Sequence, residues 1–502
     1  MEKITCEVSR ETKSFVPYYK KIMCAGRAAE GLRDDWRKQL KVVQREIGFE
    51  YIRFHGIFHE DMMVYKEDEN GEPIYNWQYV DELMDFLLEN KLKPMLELSF
   101  TPYAMASGET HQFWWKCNIT PPKDYDKWVD LVRNMVIHLI NRYGMKEILT
   151  WYFEVWNEAD RNFWTGTFED YCRLYEETMK GLKAINKNIK VGGPASPAHS
   201  VDGSMYMVDQ FITYCEERRL PIDFITIHPY PNMWGFDSPE GEMGYRSEDS
   251  LTIDLNWTHN RLNNTIYKDV EIHITEWNSS PSARDLVHDT AFMAPFIIKN
   301  ALENLGNCDS LGFWAFSDIF EELGAGSTLF HGGFGMINVY GLKKPSYYGY
   351  WFLSKLGTDK IKSGDNYFIT KKGDDYQILM WNYCHYNKKF SDGDISDLKQ
   401  LDRYSIYQDK ESDIEINITG LNGDYRVVQQ KLGRNNGCAY DIWLENGASN
   451  EPTKEEIEII NKKTGPTCAI NYIKDVDSYK FNFKLSSHDV VFIELQKVYK
   501  SV

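Results

Sequence analysis

The chain has 502 residues, 42% hydrophobic and 26% charged, an ordinary soluble globular composition with room for more than one domain. Its formal net charge of −18 argues against nucleic acid or an anionic membrane as partner. Nine scattered cysteines with no CxxC pair read as reduced thiols, and no apolar run is long enough to span a bilayer.

The first ten residues, Met-Glu-Lys-Ile-Thr-Cys-Glu-Val-Ser-Arg, carry no apolar leader core. The expected location is the cytoplasm, with a secreted form whose leader has been trimmed as the alternative. Residues 1–20 are polar and short of pattern, an N-terminal segment that could pack on a later domain. From Lys21 onward, apolar runs of strand length alternate with longer segments of helical period. The strands are expected at Ile22–Gly26, Tyr51–Gly56, Pro94–Phe100, Leu149–Trp156, Ile189–Gly193, Phe224–His228, Val270–Trp277 and Ser310–Phe316. Helices are expected at Asp34–Ile47, Trp77–Asn90, Asp124–Tyr143, Phe168–Ile185, Met205–Glu217 and Thr290–Leu305. Strand and helix alternating in this way predict a (β/α)₈ barrel over 21–343. No Gly-x-Gly-x-x-Gly follows an early strand, which removes the usual nucleotide signature of the rival doubly wound sheet.

In such a barrel the C-terminal ends of the strands carry the chemistry. The fourth strand runs into Trp156-Asn157-Glu158, and the seventh ends in Thr275-Glu276-Trp277-Asn278. Two strand-terminal carboxylates are what glycoside hydrolysis requires, one acid and one nucleophile or base. The plainer reading is a pair of solvated loop glutamates. It is weakened because each Glu follows a strand and each stands beside Asn and Trp. Other polar residues end strands on the same rim: Arg53, His55, Glu97, His228 with Tyr230, and Trp314 with Asp318. His55 and His228 read equally well as satisfied structural histidines. His55, His59, His228 and His273 are enough in number for a metal, but no HxH or HExxH spacing occurs, so no metal is expected. Aromatic residues reach 15%, which fits either large cores or platforms for sugar rings.

Beyond Lys343 the rhythm changes. A helix is expected at Ser346–Leu356, then strands at Tyr367–Lys371, Tyr376–Tyr383, Asp413–Thr419, Tyr425–Leu432, Tyr479–Leu485 and His488–Gln496. Residues 344–502 are therefore assigned a linking helix and a β-sandwich. Within it, Asn387–Lys410 is expected as a charged surface loop and Thr453–Lys463 as a short helix.

Several segments together resemble the β-xylosidases of glycoside hydrolase family 39. They include Tyr51-Ile-Arg-Phe-His-Gly56, Asn118-Ile-Thr-Pro-Pro-Lys-Asp-Tyr-Asp-Lys-Trp128, Phe153-Glu-Val-Trp-Asn-Glu158 and Lys190-Val-Gly-Gly-Pro194. They continue with His273-Ile-Thr-Glu-Trp-Asn278, Phe316-Ser-Asp-Ile-Phe-Glu-Glu322 and Phe330-His-Gly-Gly-Phe-Gly335. The resemblance implies a retaining exo-glycosidase with Glu158 as acid/base and Glu276 as nucleophile. It implies that Asn157 bonds the sugar 2-hydroxyl, and that His55, His228, Trp314, Glu321 and Glu322 line the sugar subsite. Tyr230, Phe163 and Trp115 match further substrate positions, in loops that differ in length or sequence. The chain departs from the family at Ala159, where proline is usual, and in Pro229–Gly235. The expected substrate is a xylose-containing oligosaccharide or an aryl or alkyl xyloside, with no metal or organic cofactor. No nucleic acid or membrane partner is expected, and a homo-oligomer stays open. The alternatives are another glycone, such as an iduronide, arabinoside or galactoside, or a non-catalytic sugar-binding barrel. Acidic groups in the subsite disfavour a uronate, and a degenerate binder would tend to lose one of the two glutamates.

Overall fold

The computed structural model describes residues 2–8, 11–197, 206–231, 247–392, 394, 396, 399 and 401–499. Eight parallel strands close into a barrel: β1 (Ile22–Arg27), β2 (Tyr51–His55), β3 (Lys93–Leu98), β4 (Tyr152–Val155), β5 (Lys190–Pro197), β6 (Phe224–His228), β7 (Glu271–Trp277) and β8 (Ser310–Phe313). Each is followed by a helix: α1 (Asp34–Glu46), α2 (Gln78–Glu89), α3 (Tyr125–Tyr143), α4 (Phe168–Ile185), α5 (Tyr206–Arg218), α6 (Ser250–Leu262), α7 (Met293–Glu303) and α8 (Pro345–Lys355). Met205, the expected start of α5, lies outside the described residues, as do Asn232–Gly235 of the departing segment after His228. The helix starts follow local chemistry. Asp124 caps α3 through Asp126 N and Lys127 N, Thr167 and Asp170 form a capping box on α4, and Pro345 opens α8. Helix α8 packs on α7 beneath Gly349, and Tyr350 sits against Phe49 and Phe313. It therefore completes the barrel's outer ring, although the sequence division at 343/344 placed it with the second domain.

The barrel interior is layered. Alternate residues of each strand point inward. Ile22, Tyr51, Met95, Tyr152 and Phe224 fill the lower level, with Tyr51, Phe224 and His273 edge-on around Tyr152. Two residues further along the strands come Arg53, Glu97 and Glu154, all fully buried. The intervening residues face the helices and join one large apolar cluster.

The second domain is a single eight-stranded sheet. Its strands include β9 (Asp359–Gly364), β10 (Tyr367–Lys372), β11 (Asp375–Trp381), β12 (Ser412–Leu432), β13 (Thr467–Leu485) and β14 (Val490–Val498). The expected strands Asp413–Thr419 and Tyr425–Leu432 are the two arms of β12, joined without a break across Gly420 and Gly423, both at positive φ. The N-terminal strand Glu2–Glu7 runs parallel to the first arm of β12, pairing Glu2 with Ile414, and Lys13–Ser14 pairs with β9. Ile4, Cys6, Ile416 and Phe481 share one buried cluster with Ile369, Ile378 and Ile493, so the sheet doubles over itself as the two faces of a sandwich. At the far edge the Lys362 ammonium donates to Thr5 O at 2.9 Å.

A buried ion cluster ties the two parts together. Asp289 accepts from Lys344 Nζ at 2.9 Å, from Arg403 Nη1 at 2.8 Å and from Gly332 N at 2.8 Å. Lys344 also lies 3.1 Å from Asp318, and Arg403 Nη2 donates to Phe330 O at 2.7 Å. Asp289→Ala would leave two buried cations short of an anion. A loss of about 3–5 kcal/mol in urea unfolding is expected. A loss below about 1 kcal/mol would show that these charges are not held as a unit.

Candidate active site

The site is built on Arg53. Tyr51, Arg53 and His55 alternate on β2, so all three face the barrel axis. The Arg53 guanidinium donates from Nε to Glu154 at 2.6 Å, from Nη1 to Glu276 at 2.8 Å and from Nη2 to Asn157 Oδ1 at 2.9 Å; Nη2 also lies 2.7 Å from Glu97. A planar fork with five donors suits several acceptors at once. Glu97 is shared with His55, whose Nδ1 lies 2.6 Å away, and with the Ser99 hydroxyl. His55 Nε2 then faces the cavity, 3.6 Å from Glu276 and 3.7 Å from Glu322.

Glu158 is placed by backbone geometry. Trp156 and Glu158 both have positive φ, 69° and 43°, which turns the chain sharply out of β4. The strain, of order 1–3 kcal/mol per residue, is held by what surrounds it. The Trp156 indole packs against Phe100, Trp128 and Trp164 and donates to Phe163 O at 2.9 Å. Glu158 N donates to Ala195 O at 2.8 Å. The Glu158 side chain meets His228 Nδ1 at 2.7 Å. Burial, with the nearby charge of Asp160, raises its pKa to about 8. Burial lowers that of His228 to about 4.

Glu276 is placed by a break in the β7 ladder. Strict alternation would send Thr275 and Trp277 inward and Glu276 out. The register shifts between Ile274 and Trp277, Trp277 stacks outward on Phe296 of α7, and Thr275 and Glu276 both reach the interior. Glu276 takes a second hydrogen bond from the Tyr230 hydroxyl at 3.1 Å. Oxygens of Glu158 and Glu276 and a His228 ring nitrogen lie within 4.8 Å of one another. This is the one group of possible metal ligands that meets among the described residues. Its atoms are engaged with each other and with Arg53 and Tyr230. His59 and His273 stand elsewhere, against Asp61 and against Ser310 and Glu271.

A cavity of about 770 Å³ opens above these groups. His55, Asn157, Glu158, Phe163, His228, Tyr230, Glu276, Trp314 and Glu322 all line it. The Glu322 carboxyl is pushed well above the ordinary range by burial, and further by the charges of Glu276 and Glu30. Two expected residues do not line it. Trp115 turns back under Arg27, stacked on Phe113 and edge-on to His59, and its neighbours Phe113 and Trp114 take the lining. Glu321 points the other way, held by Arg27 Nε at 2.9 Å and Arg33 Nη1 at 2.7 Å. The expected acidic pair therefore splits, with only Glu322 facing the cavity. Sequence reasoning did not name Glu154, Thr275, Phe113 or Trp114 as site residues. It noted Arg53 and Glu97 as strand-ending polar groups without pairing them, although the two-residue step from Arg53 to His55 puts both on one face.

Residues 2–474 match the family model described as glycosyl hydrolases family 39. The chain is 34% identical over 471 residues to a β-xylosidase of Caldicellulosiruptor saccharolyticus, covering 92% of this chain and 91% of that one. It is 31% identical over 501 residues to a β-xylosidase of Geobacillus stearothermophilus, covering 98% and 95%. Its fold superposes on the crystal structure of a monomeric β-xylosidase from Caulobacter crescentus CB15 with a TM-score of 0.90 at 28% identity, over 99% of this chain and 100% of that one. The barrel, its paired carboxyls and these likenesses agree: the chain belongs to glycosyl hydrolases family 39 and is a glycosidase.

Proposed function

We propose that the protein is an exo-acting retaining β-xylosidase that uses Glu276 as nucleophile and Glu158 as acid/base. The observation that carries this reading is the contrast between two carboxyls within 4.8 Å of each other. Glu158 is held toward its protonated form, with a pKa of about 8. Glu276 accepts from Arg53 and Tyr230, as an ionised carboxylate does. Retaining enzymes keep their carboxyls about 5–5.5 Å apart, too close for a water between acid and base. Glu276 attacks the anomeric carbon as Glu158 protonates the departing oxygen. Water then enters, gives its proton to Glu158 and releases the sugar from Glu276.

Support for xylose comes from the two β-xylosidases above. Asn157 has its carbonyl fixed by Arg53, which leaves its amide NH₂ to donate to a sugar hydroxyl. A panel of nitrophenyl glycosides followed by proton NMR tests the proposal. The β-xyloside should turn over fastest and β-xylose should form first. Faster arabinoside or uronide hydrolysis would move the glycone, α-xylose formed first would make the enzyme inverting, and no turnover at all would favour a binding protein.

A further inference from the structure

Behind His228 lie two side chains that never reach the cavity. Glu154 and Thr275 are both fully buried. The Thr275 hydroxyl donates to Glu154 Oε1 at 2.9 Å, and its oxygen lies 3.1 Å from His228 Nε2. We propose that Glu154 and Thr275 are positioning residues that fix His228 as the Nε2–H tautomer, so that the histidine can hold Glu158 only in its protonated form. This rests on Glu158 being the acid/base.

The argument follows the hydrogens. Glu154 is an accepting carboxylate because Arg53 Nε donates to its other oxygen at 2.6 Å. A hydroxyl has one proton, and Thr275 gives it to Glu154. Toward His228 the hydroxyl can offer only a lone pair, so Nε2 must carry a hydrogen. Burial keeps the ring neutral, which leaves a lone pair on Nδ1. At 2.7 Å from Glu158 Oε1, that lone pair needs a proton between the two atoms, and Glu158 must supply it.

Other groups also face Glu158. Asp160 and Arg161 lie on its own loop, Tyr230 follows β6, Glu276 ends β7, Arg53 and His55 come from β2, and Glu322 follows β8. They act at longer range, whereas His228 holds the carboxyl directly. During glycosylation the proton passes from Glu158 to the leaving oxygen as the glycosidic bond breaks. The new carboxylate then faces the Nδ1 lone pair. That repulsion strengthens it as a base, and the attacking water returns the proton as its oxygen bonds the anomeric carbon. The tautomer thus serves both half-reactions.

Thr275→Val keeps the shape and removes the hydroxyl. His228 can then carry its proton on Nδ1 and donate to an ionised Glu158. The alkaline limb of kcat/KM should move to lower pH by about one unit, and Thr275→Ser should restore it. A merely structural role would lower activity at every pH and leave the limb in place. Nitrogen-15 NMR of histidine-labelled resting enzyme gives a second readout that needs no activity. His228, assigned by the signals lost in His228→Gln, should show a protonated Nε2 and a bare Nδ1. A protonated Nδ1 in the wild type, or an unmoved limb in folded Thr275→Val, would overturn the proposal. If azide rescues Glu158→Ala while His228 shows Nδ1–H, the proposal falls and the acid/base assignment stands. Without azide rescue, the assignment itself is at fault.

Discussion

Glu276→Gln is expected to lower kcat on an aryl β-xyloside by on the order of 10⁴-fold or more while the protein stays folded and still binds xylose. The amide is nearly the same size as the carboxylate but carries no charge and attacks carbon poorly. It also changes what Arg53 sees. Three carboxylates contact that guanidinium in the wild type, and the variant leaves Glu97 and Glu154 to hold it. Binding persists because His55, Asn157, Trp314 and Glu322 still line the cavity. Stopped-flow turnover and xylose titration on one preparation check both halves. Turnover within tenfold of wild type would remove Glu276 as nucleophile.

Glu158→Ala should divide substrates by their leaving groups. General acid catalysis contributes about 10²–10⁴-fold, and it matters most when the departing oxygen is strongly basic. A sugar alkoxide cannot leave unprotonated, whereas nitrophenolate can. Xylobiose hydrolysis should therefore fall far more than the first step on a nitrophenyl xyloside. The second step needs Glu158 as base, so the glycosyl-enzyme should accumulate on the aryl substrate and give a burst and a low KM. Azide, which attacks without a base, should enter the vacated space, restore turnover and yield β-xylosyl azide. In the wild type, a folded pKa of about 8 means that acid function is intact below that pH and is lost as pH rises through it. The same limb should be absent from azide-rescued Glu158→Ala. Equal losses on both substrates with no rescue would show that the acid lies elsewhere.

The barrel was legible because its signal is periodic and repeated. Strand and helix alternate along 21–343, and the two glutamates stand at strand ends where such a fold places its chemistry. What escaped the sequence was direction. Glu321 and Glu322 are neighbours, yet one turns to Arg27 and Arg33 and the other to the cavity. Trp115 lost its expected place to Phe113 and Trp114 because Phe113 and Lys116 both take positive φ in that loop, which breaks any simple alternation. The inward turn of Glu276 depends on a register shift in β7 that no residue spacing announces. The relay through Thr275 and Glu154 was hidden for another reason. Threonine and glutamate in mid-strand are unremarkable singly, and only closure of the barrel brings β4, β6 and β7 side chains together.

The pairing of Glu2 with Ile414 also has a consequence for synthesis. On a ribosome adding about 5–20 residues per second, the N-terminal strand is made roughly 20–80 s before its neighbour. Strands β1 to β8 can close into a barrel in the meantime, since each finds its partner from nearby sequence or from β1 itself. The leading strand must wait unpaired. Its alternation of exposed Lys3, Thr5 and Glu7 with buried Ile4, Cys6 and Val8 leaves one sticky face and one charged face during that wait. The sheet can take up this strand only after β12 has been made. This strand is thus among the last to find its place, and nascent chains arrested before residue 412 should present Ile4 and Cys6 to chaperones or to one another.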